Sequence, residues 1–147
     1  MSQQYSEQIS NPMTPSTYRA WREQGSKYRL EGTICKNCNS KFFPRRSVCA
    51  NCHSLDVETY QFKQTGQIQN VISNGIPQIA IMGYGEHSPR YLATIKLAEG
   101  PVILAEIIEV NDVNKLRVGA LVHMVIRKHA RPTNLNWNYA YKFKLIN

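Results

Sequence analysis

Cys35-Lys36-Asn37-Cys38 and Cys49-Ala50-Asn51-Cys52, separated by the ten residues NSKFFPRRSV, decide how this chain is read. All four cysteines of the chain lie in this pattern. Thiolates three residues apart on a tight turn converge on one point, so two such knuckles can wrap one metal ion tetrahedrally. A closed shell of four sulfurs suits Zn(II) in a structural site and leaves no position open for water or substrate. Cys35, Cys38, Cys49 and Cys52 are therefore the expected zinc ligands. A rubredoxin-type iron site uses the same ligands, and two disulfides would consume the same thiols. No signal-peptide pattern precedes the knuckles, which favours metal over disulfide. His53 follows the last cysteine and is expected to be an exposed knuckle residue rather than a further ligand.

The 147 residues suit one compact domain with a small appendage. The net charge of +8 and a pI near 9.5 fit either a solvated basic surface or an anionic partner: nucleic acid, a phosphorylated cofactor or an acidic protein face. No apolar run approaches the length that spans a bilayer. The opening MSQQYSEQISNPM has no basic n-region and no apolar h-region, so the expected location is the cytoplasm.

Thr14-Pro15 reads as a helix start, with a capping hydroxyl and a proline in the first turn. The helix that follows puts Tyr18, Trp21 and Arg22 on one face, and Gly25 is expected to end it. A second short segment, 26–30, leads into the first knuckle. Tyr18 and Trp21 either pack on the chain's own ribbon or barrel or dock on another subunit, since a helix this short is marginal alone. Residues 1–31 are thus read as a disordered N-terminus with short helices, and 32–56 as a zinc ribbon. Within the ribbon, Phe42 and Phe43 are expected to shield the metal and brace the fold. Lys41, Arg45 and Arg46 concentrate positive charge at its tip.

From Val57 onward the pattern changes to short β segments, and 57–147 is read as a barrel. Strands are expected at 58–63, 67–73, 78–83, 90–97, 102–110, 121–128 and 139–145. Tyr91, Ala93, Ile95 and Leu97 alternate onto one face, as do Tyr139, Tyr141, Phe143 and Leu145. Turn signals at Asn74-Gly75, Gly83-Tyr84-Gly85, Glu99-Gly100-Pro101 and Val118-Gly119 separate the strands. Residues 111–116 are too polar for a strand and should form a helical turn. Short, regularly punctuated strands without a second helical layer indicate a mainly β protein with a small closed, OB-like barrel.

Arg22, the run Tyr28-Arg29-Leu30-Glu31-Gly32-Thr33-Ile34-Cys35-x-x-Cys38, then Phe43-Pro44-Arg45 and Cys49-x-x-Cys52 resemble the signature of the acyl-CoA-associated zinc-ribbon/OB-fold family, long catalogued as a domain of unknown function. Gly66, the segment 91–97 before Glu99-Gly100-Pro101, and Leu116-x-x-Gly119-x-x-Val122 continue the likeness into the barrel, so it covers the chain from about Tyr18 to the end. Asn39 and Ala50 stand where relatives often carry glycine and proline; asparagine tolerates the left-handed backbone such a turn needs. The stretch 131–138, with Trp137, differs from the acidic loop common in relatives. The resemblance implies a helical N-terminus, a rubredoxin-like ribbon and an OB barrel. It also implies a small non-catalytic subunit that organises thiolase-like and ketoacyl-synthase-like partners for C-acylation, as in acetylation of a phloroglucinol-type substrate. Coenzyme A is a cofactor it makes possible, and Arg45, Arg46, Arg127, Lys128 and Arg131 are candidates for contact with its phosphates or with acidic partner surfaces.

Independent catalysis finds no support in the residues. Every cysteine is committed to the metal pattern, and no serine sits in a G-x-S-x-G elbow. His87, His123 and His129 lack the context of a triad, and Glu106 and Glu109 alternate onto opposite faces of one expected strand. Two other function classes fit some features: a free-standing CoA or acyl-CoA-binding protein, and a single-stranded nucleic-acid module. The second would use Tyr139, Tyr141 and Phe143 interleaved with Lys142 and Lys144; strand alternation accounts for the same pattern as an apolar core face backed by a solvated basic face, so nucleic acid is the less favoured partner.

Overall fold

The computed structural model describes residues 17–74, 89–128 and 139–146. The Thr14-Pro15 start, the strand expected at 78–83, the turns at Asn74-Gly75 and Gly83-Tyr84-Gly85, and His87, His129, Arg131 and Trp137 lie outside the described residues.

Two short helices open the described chain, α1 (Thr17–Arg22) and α2 (Gln24–Arg29). Glu23, at their junction, accepts from Arg19 at 2.6 Å and pairs with Lys27 at 3.2 Å. Such i, i+4 pairs on an exposed helix face contribute a few tenths of a kcal/mol each. Gly25 does not end the first helix as the sequence led us to expect; it lies buried inside α2. A side chain there would collide with the Glu31 carboxylate, so the glycine serves close approach rather than termination. The helix stops instead at Leu30, which is fully buried and left-handed at φ 52°, its N–H donating to the Gly25 carbonyl.

The ribbon is a three-stranded antiparallel sheet in the order β2-β1-β3, with β1 at Glu31–Cys35, β2 at Lys41–Phe42 and β3 at Val57–Gln61. The strand expected at 58–63 as the first of the barrel belongs by pairing to the ribbon, Gly32 opposite Tyr60 and Ile34 opposite Glu58. The physical reason is the second knuckle. It returns the chain beside β1, where the Lys36 N–H donates to the Asp56 carbonyl at 3.0 Å, and antiparallel pairing with β1 follows directly.

Five strands close the barrel in the order β4-β5-β6-β8-β7: β4 (Thr65–Asn74), β5 (Arg90–Leu97), β6 (Val102–Ile107), β7 (Leu121–Lys128) and β8 (Tyr139–Leu145), with β7 returning to β4. Among the described residues, β6 and β8 form the one parallel contact, Ile107 beside Phe143. Inward positions line up across strands: Ile68, Ile95 and Ile103 in one row, Val71, Ala93 and Ala105 in another. Ile68 and Val71 are three apart, so strict alternation would put them on opposite faces. A bulge between Ile68 and Asn70 restores Val71 to the core side. The expected strand 102–110 stops at Ile107, because Glu109 takes a left-handed backbone at φ 55°. The polar segment 111–116 does form a helical turn, a 3-10 turn at Val113–Lys115 with the Asp112 carboxylate accepting from the Asn114 N–H.

Ribbon and barrel share one core. Phe62, 1% exposed, follows β3 and packs against the glycines Gly32 and Gly100, where any side chain would strike its ring. Phe43, between the knuckles, meets Phe62 edge-on at 6.3 Å and Tyr141 of β8 at 6.0 Å; Tyr141 in turn meets Phe143 at 6.4 Å. Edge-to-face pairs of this kind add about 0.5–1.5 kcal/mol beyond area burial. A polar bridge runs alongside: Lys41 donates to the Tyr60 hydroxyl, Tyr60 donates to Glu99, each at 2.9 Å, and Lys63 pairs with Glu99.

Candidate metal centre and basic groove

Both knuckles are built alike. In the first, the Cys35 N–H donates to the Ser40 carbonyl and the Asn39 N–H to the Cys35 carbonyl; in the second, Cys49 with Ser54 and His53 with Cys49 repeat the two bonds. Asn39 and His53 occupy matching left-handed positions, each at φ 56°, so asparagine fills the place where a glycine would be easiest. The turns bring all four Sγ atoms within 4.8 Å of one another. Cys35 and Cys52 stand 3.5 Å apart, as do Cys38 and Cys49. Sulfurs bound tetrahedrally to zinc at about 2.3 Å are separated by about 3.8 Å, so the cluster has the size such an ion needs. His53 is exposed and outside the cluster.

The surroundings favour thiolates at two of the four positions. The Ser40 hydroxyl and then its backbone N–H pull the Cys38 thiol down to about 6. The Ser54 N–H, then the Asn37 side chain, lower Cys52. At Cys35 the Cys38 N–H works in the same direction, but burial and the neighbouring thiols outweigh it and push the group up to about 11. Sulfurs crowded into one small volume are thus treated unequally: Cys38 and Cys52 are drawn toward the thiolate a metal needs, and Cys35 is held back from it. The donor set, with Cys35 and Cys49 buried, fits structural zinc.

Arg45 and Arg46 follow Phe43 and help line a groove of about 660 Å³ together with Arg19, Arg22 and Lys27 of the helices. The Arg46 guanidinium lies 5.6 Å from the Phe42 ring centre, and its backbone N–H donates to Thr33 Oγ1 at 2.9 Å. Tyr141 also lines the groove, with its phenol pushed up by burial. Arg127 and Lys128 are not brought to this groove. Arg127 donates to Glu109 at 2.6 Å, and Lys144 to the same carboxylate at 3.1 Å.

One charged group escaped sequence reasoning. Lys142 was expected on the solvated face of β8, yet it is only 6% exposed and pairs with Glu106 at 3.1 Å, while Arg90 donates to the same carboxylate at 3.2 Å. Glu106 itself is 6% exposed. A lone carboxylate in the apolar run VILAEI was the available signal: a buried acid requires a cation. The stacking platform of the nucleic-acid alternative loses two of its three aromatics, because Phe143 is fully buried and Tyr141 packs on the core. His123 lies in β7 opposite Thr65 and Lys144.

Comparison with known proteins agrees with this architecture. The family model described as the ChsH2 rubredoxin-like zinc ribbon domain matches residues 22–58. A DUF35 domain-containing scaffold protein of Pyrococcus furiosus is 37% identical over 120 residues, 82% of this chain and 83% of that protein. One from Methanothermobacter thermautotrophicus is 28% identical over 134 residues, 90% of this chain and 98% of its own length. Among solved structures, a chain of the Ltp2-ChsH2(DUF35) aldolase superposes with a TM-score of 0.64 at 21% identity, covering 90% of this chain and 96% of that one. A DUF35 protein of unknown function from Sulfolobus solfataricus gives 0.52 at 16%, over 90% of this chain and all of that one. At these identities the two structures speak for the fold.

Proposed function

The chain belongs to the DUF35 family of zinc-ribbon and OB-fold proteins, and on that premise we propose that it is a non-catalytic subunit of a multi-component acyl-transferring complex. In this reading a thiolase-like partner supplies the reactive cysteine, a ketoacyl-synthase-like partner completes the assembly, and this chain holds the two in register. The observation that carries the proposal is the shared aromatic core: Phe43, Phe62 and Tyr141 weld the metal-knotted ribbon to the barrel as one body. A body of that kind can fix the relative positions of two enzymes. Its value to C-acylation is proximity, since an acyl group handed between fixed sites is less exposed to water. All four cysteines are drawn into one cluster, which leaves this chain no thiol for an acyl-enzyme.

The assigned ligands of the structural zinc are Cys35, Cys38, Cys49 and Cys52, which would fix the inter-knuckle loop rather than act on substrate. Apolar side chains exposed on the barrel's outer side, Ile72 on β4 and Leu104 on β6, offer a contact area distinct from the ribbon, as a bridge between two proteins requires. CoA is assigned to the partners' active sites, with this chain at most contributing to its surroundings. One second reading, a partner that is an aldolase, is suggested by the name of the solved Ltp2-ChsH2(DUF35) aldolase, one chain of which this chain resembles in fold. Identification of the proteins that co-purify with the zinc-loaded chain tests the proposal. A thiolase-like protein is the expected companion; acyl transfer by the purified chain alone sinks it.

A further inference from the structure

We infer that the groove between the N-terminal helices and the inter-knuckle loop seats an acidic segment of a partner protein, an assignment that rests on the subunit reading above. The groove's cations come from regions far apart in sequence, Arg19, Arg22 and Lys27 on the helices and Arg45 and Arg46 on the loop. Folding, not local composition, gathers them. Glu23 is the single carboxylate among the lining residues, and it is already bound to Arg19 and Lys27. Among the described residues, Arg22 and Arg45 have no ion-pair partner. The volume of about 660 Å³ accommodates several side chains of one segment. Phe43 and Tyr141, which also pack on the core, add an apolar lining that suits a hydrophobic residue beside the acids.

Charge alone would equally suit phosphates, but one observation favours a protein. On the same six-residue helix as Arg19 and Arg22, Tyr18 and Trp21 stand 77% and 70% exposed. Tryptophan, tyrosine and arginine are the residues that most often carry binding energy at protein interfaces. Of the two placements the sequence left open, the exposure of Tyr18 and Trp21 favours docking on another subunit over packing on the described ribbon and barrel residues.

The test uses the full zinc-loaded chain and a fluorescently labelled peptide of alternating glutamate and leucine. Saturable, salt-sensitive binding is expected, weakened about tenfold or more in the double variant Arg22→Glu, Arg45→Glu and unchanged in Lys96→Glu on the barrel. Both variants must retain zinc and the wild-type circular dichroism; should the double variant lose either, Arg22→Gln alone is read against Lys96→Gln. Peptide binding equal in groove and barrel variants, no binding at all, or binding of a thymidine oligonucleotide in place of the peptide would overturn the assignment. The two proposals separate cleanly. A partner that co-purifies with the double variant as well as with wild type removes the groove and keeps the subunit reading. Peptide binding without any co-purifying partner does the reverse.

Discussion

At the scale of single residues, the least expected group is Glu106 between Lys142 and Arg90. Removing one member of a buried charge set leaves the others uncompensated in a poor solvent for ions. Glu106→Leu should therefore cost about 3 kcal/mol in urea denaturation, and the double variant Glu106→Leu, Lys142→Met should recover much of that loss. Equal destabilisation by the single and double variants would mean the charges do not act on one another. Glu109 acts at the surface and in a different way. Hydrogen bonds from Arg127, then Lys144, lower its carboxyl below the ordinary carboxylate value. A lowered folded pKa stabilises the native state above the ordinary value, and that contribution is lost as pH falls through the lower, folded one. Thermal denaturation followed from neutral to acidic pH should show a shallower loss in Glu109→Gln than in wild type. The four cysteines were legible from spacing alone. The Glu106 group was not, because period-two alternation assigns Lys142 to water and carries no information about what lies over the sheet's outer side.

Among elements, the knuckles and the barrel strands followed from local chemistry. The strands at 90–97, 121–128 and 139–145 were read with their observed bounds, since alternation and flanking turn residues agree there. The partner of β3 was not legible: a strand's sequence states its faces but not its neighbours, and here the second knuckle chose. Gly25 misled for a similar reason, because a glycine needed for close approach looks the same in sequence as one that ends a helix. The join between ribbon and barrel yields the sharpest expectation at this scale. Phe62→Ala should cost about 3–5 kcal/mol, and hydrogen exchange should quicken in β1 and β3 as well as in the barrel. Acceleration confined to the ribbon would show two independently stable parts. Cys35→Ser, or removal of the metal by chelation, should release zinc and raise exchange throughout the ribbon's three strands. Unchanged protection of Cys35 and its neighbours after metal removal would count against a structural ion.

For the whole molecule, the ribbon, the barrel and the two helices meet around Phe43 and Tyr141, where one end faces the core and the other the basic groove. No described helix is long and apolar enough to cross a membrane. The charge of +8 is therefore most usefully read residue by residue: Arg127 and Lys144 are consumed by Glu109, Arg90 and Lys142 converge on Glu106, while Arg22 and Arg45 face the groove. On the proposed reading, a body so arranged holds other proteins and leaves the bond-making chemistry to them. The direct measurement is acyl transfer by the zinc-loaded chain alone, set beside the complex it carries when isolated from its own cells. The account predicts an inert isolated chain and an active complex containing a thiolase-like protein with a reactive cysteine. Turnover by the isolated chain, or a chain that retains no protein partner, would contradict it.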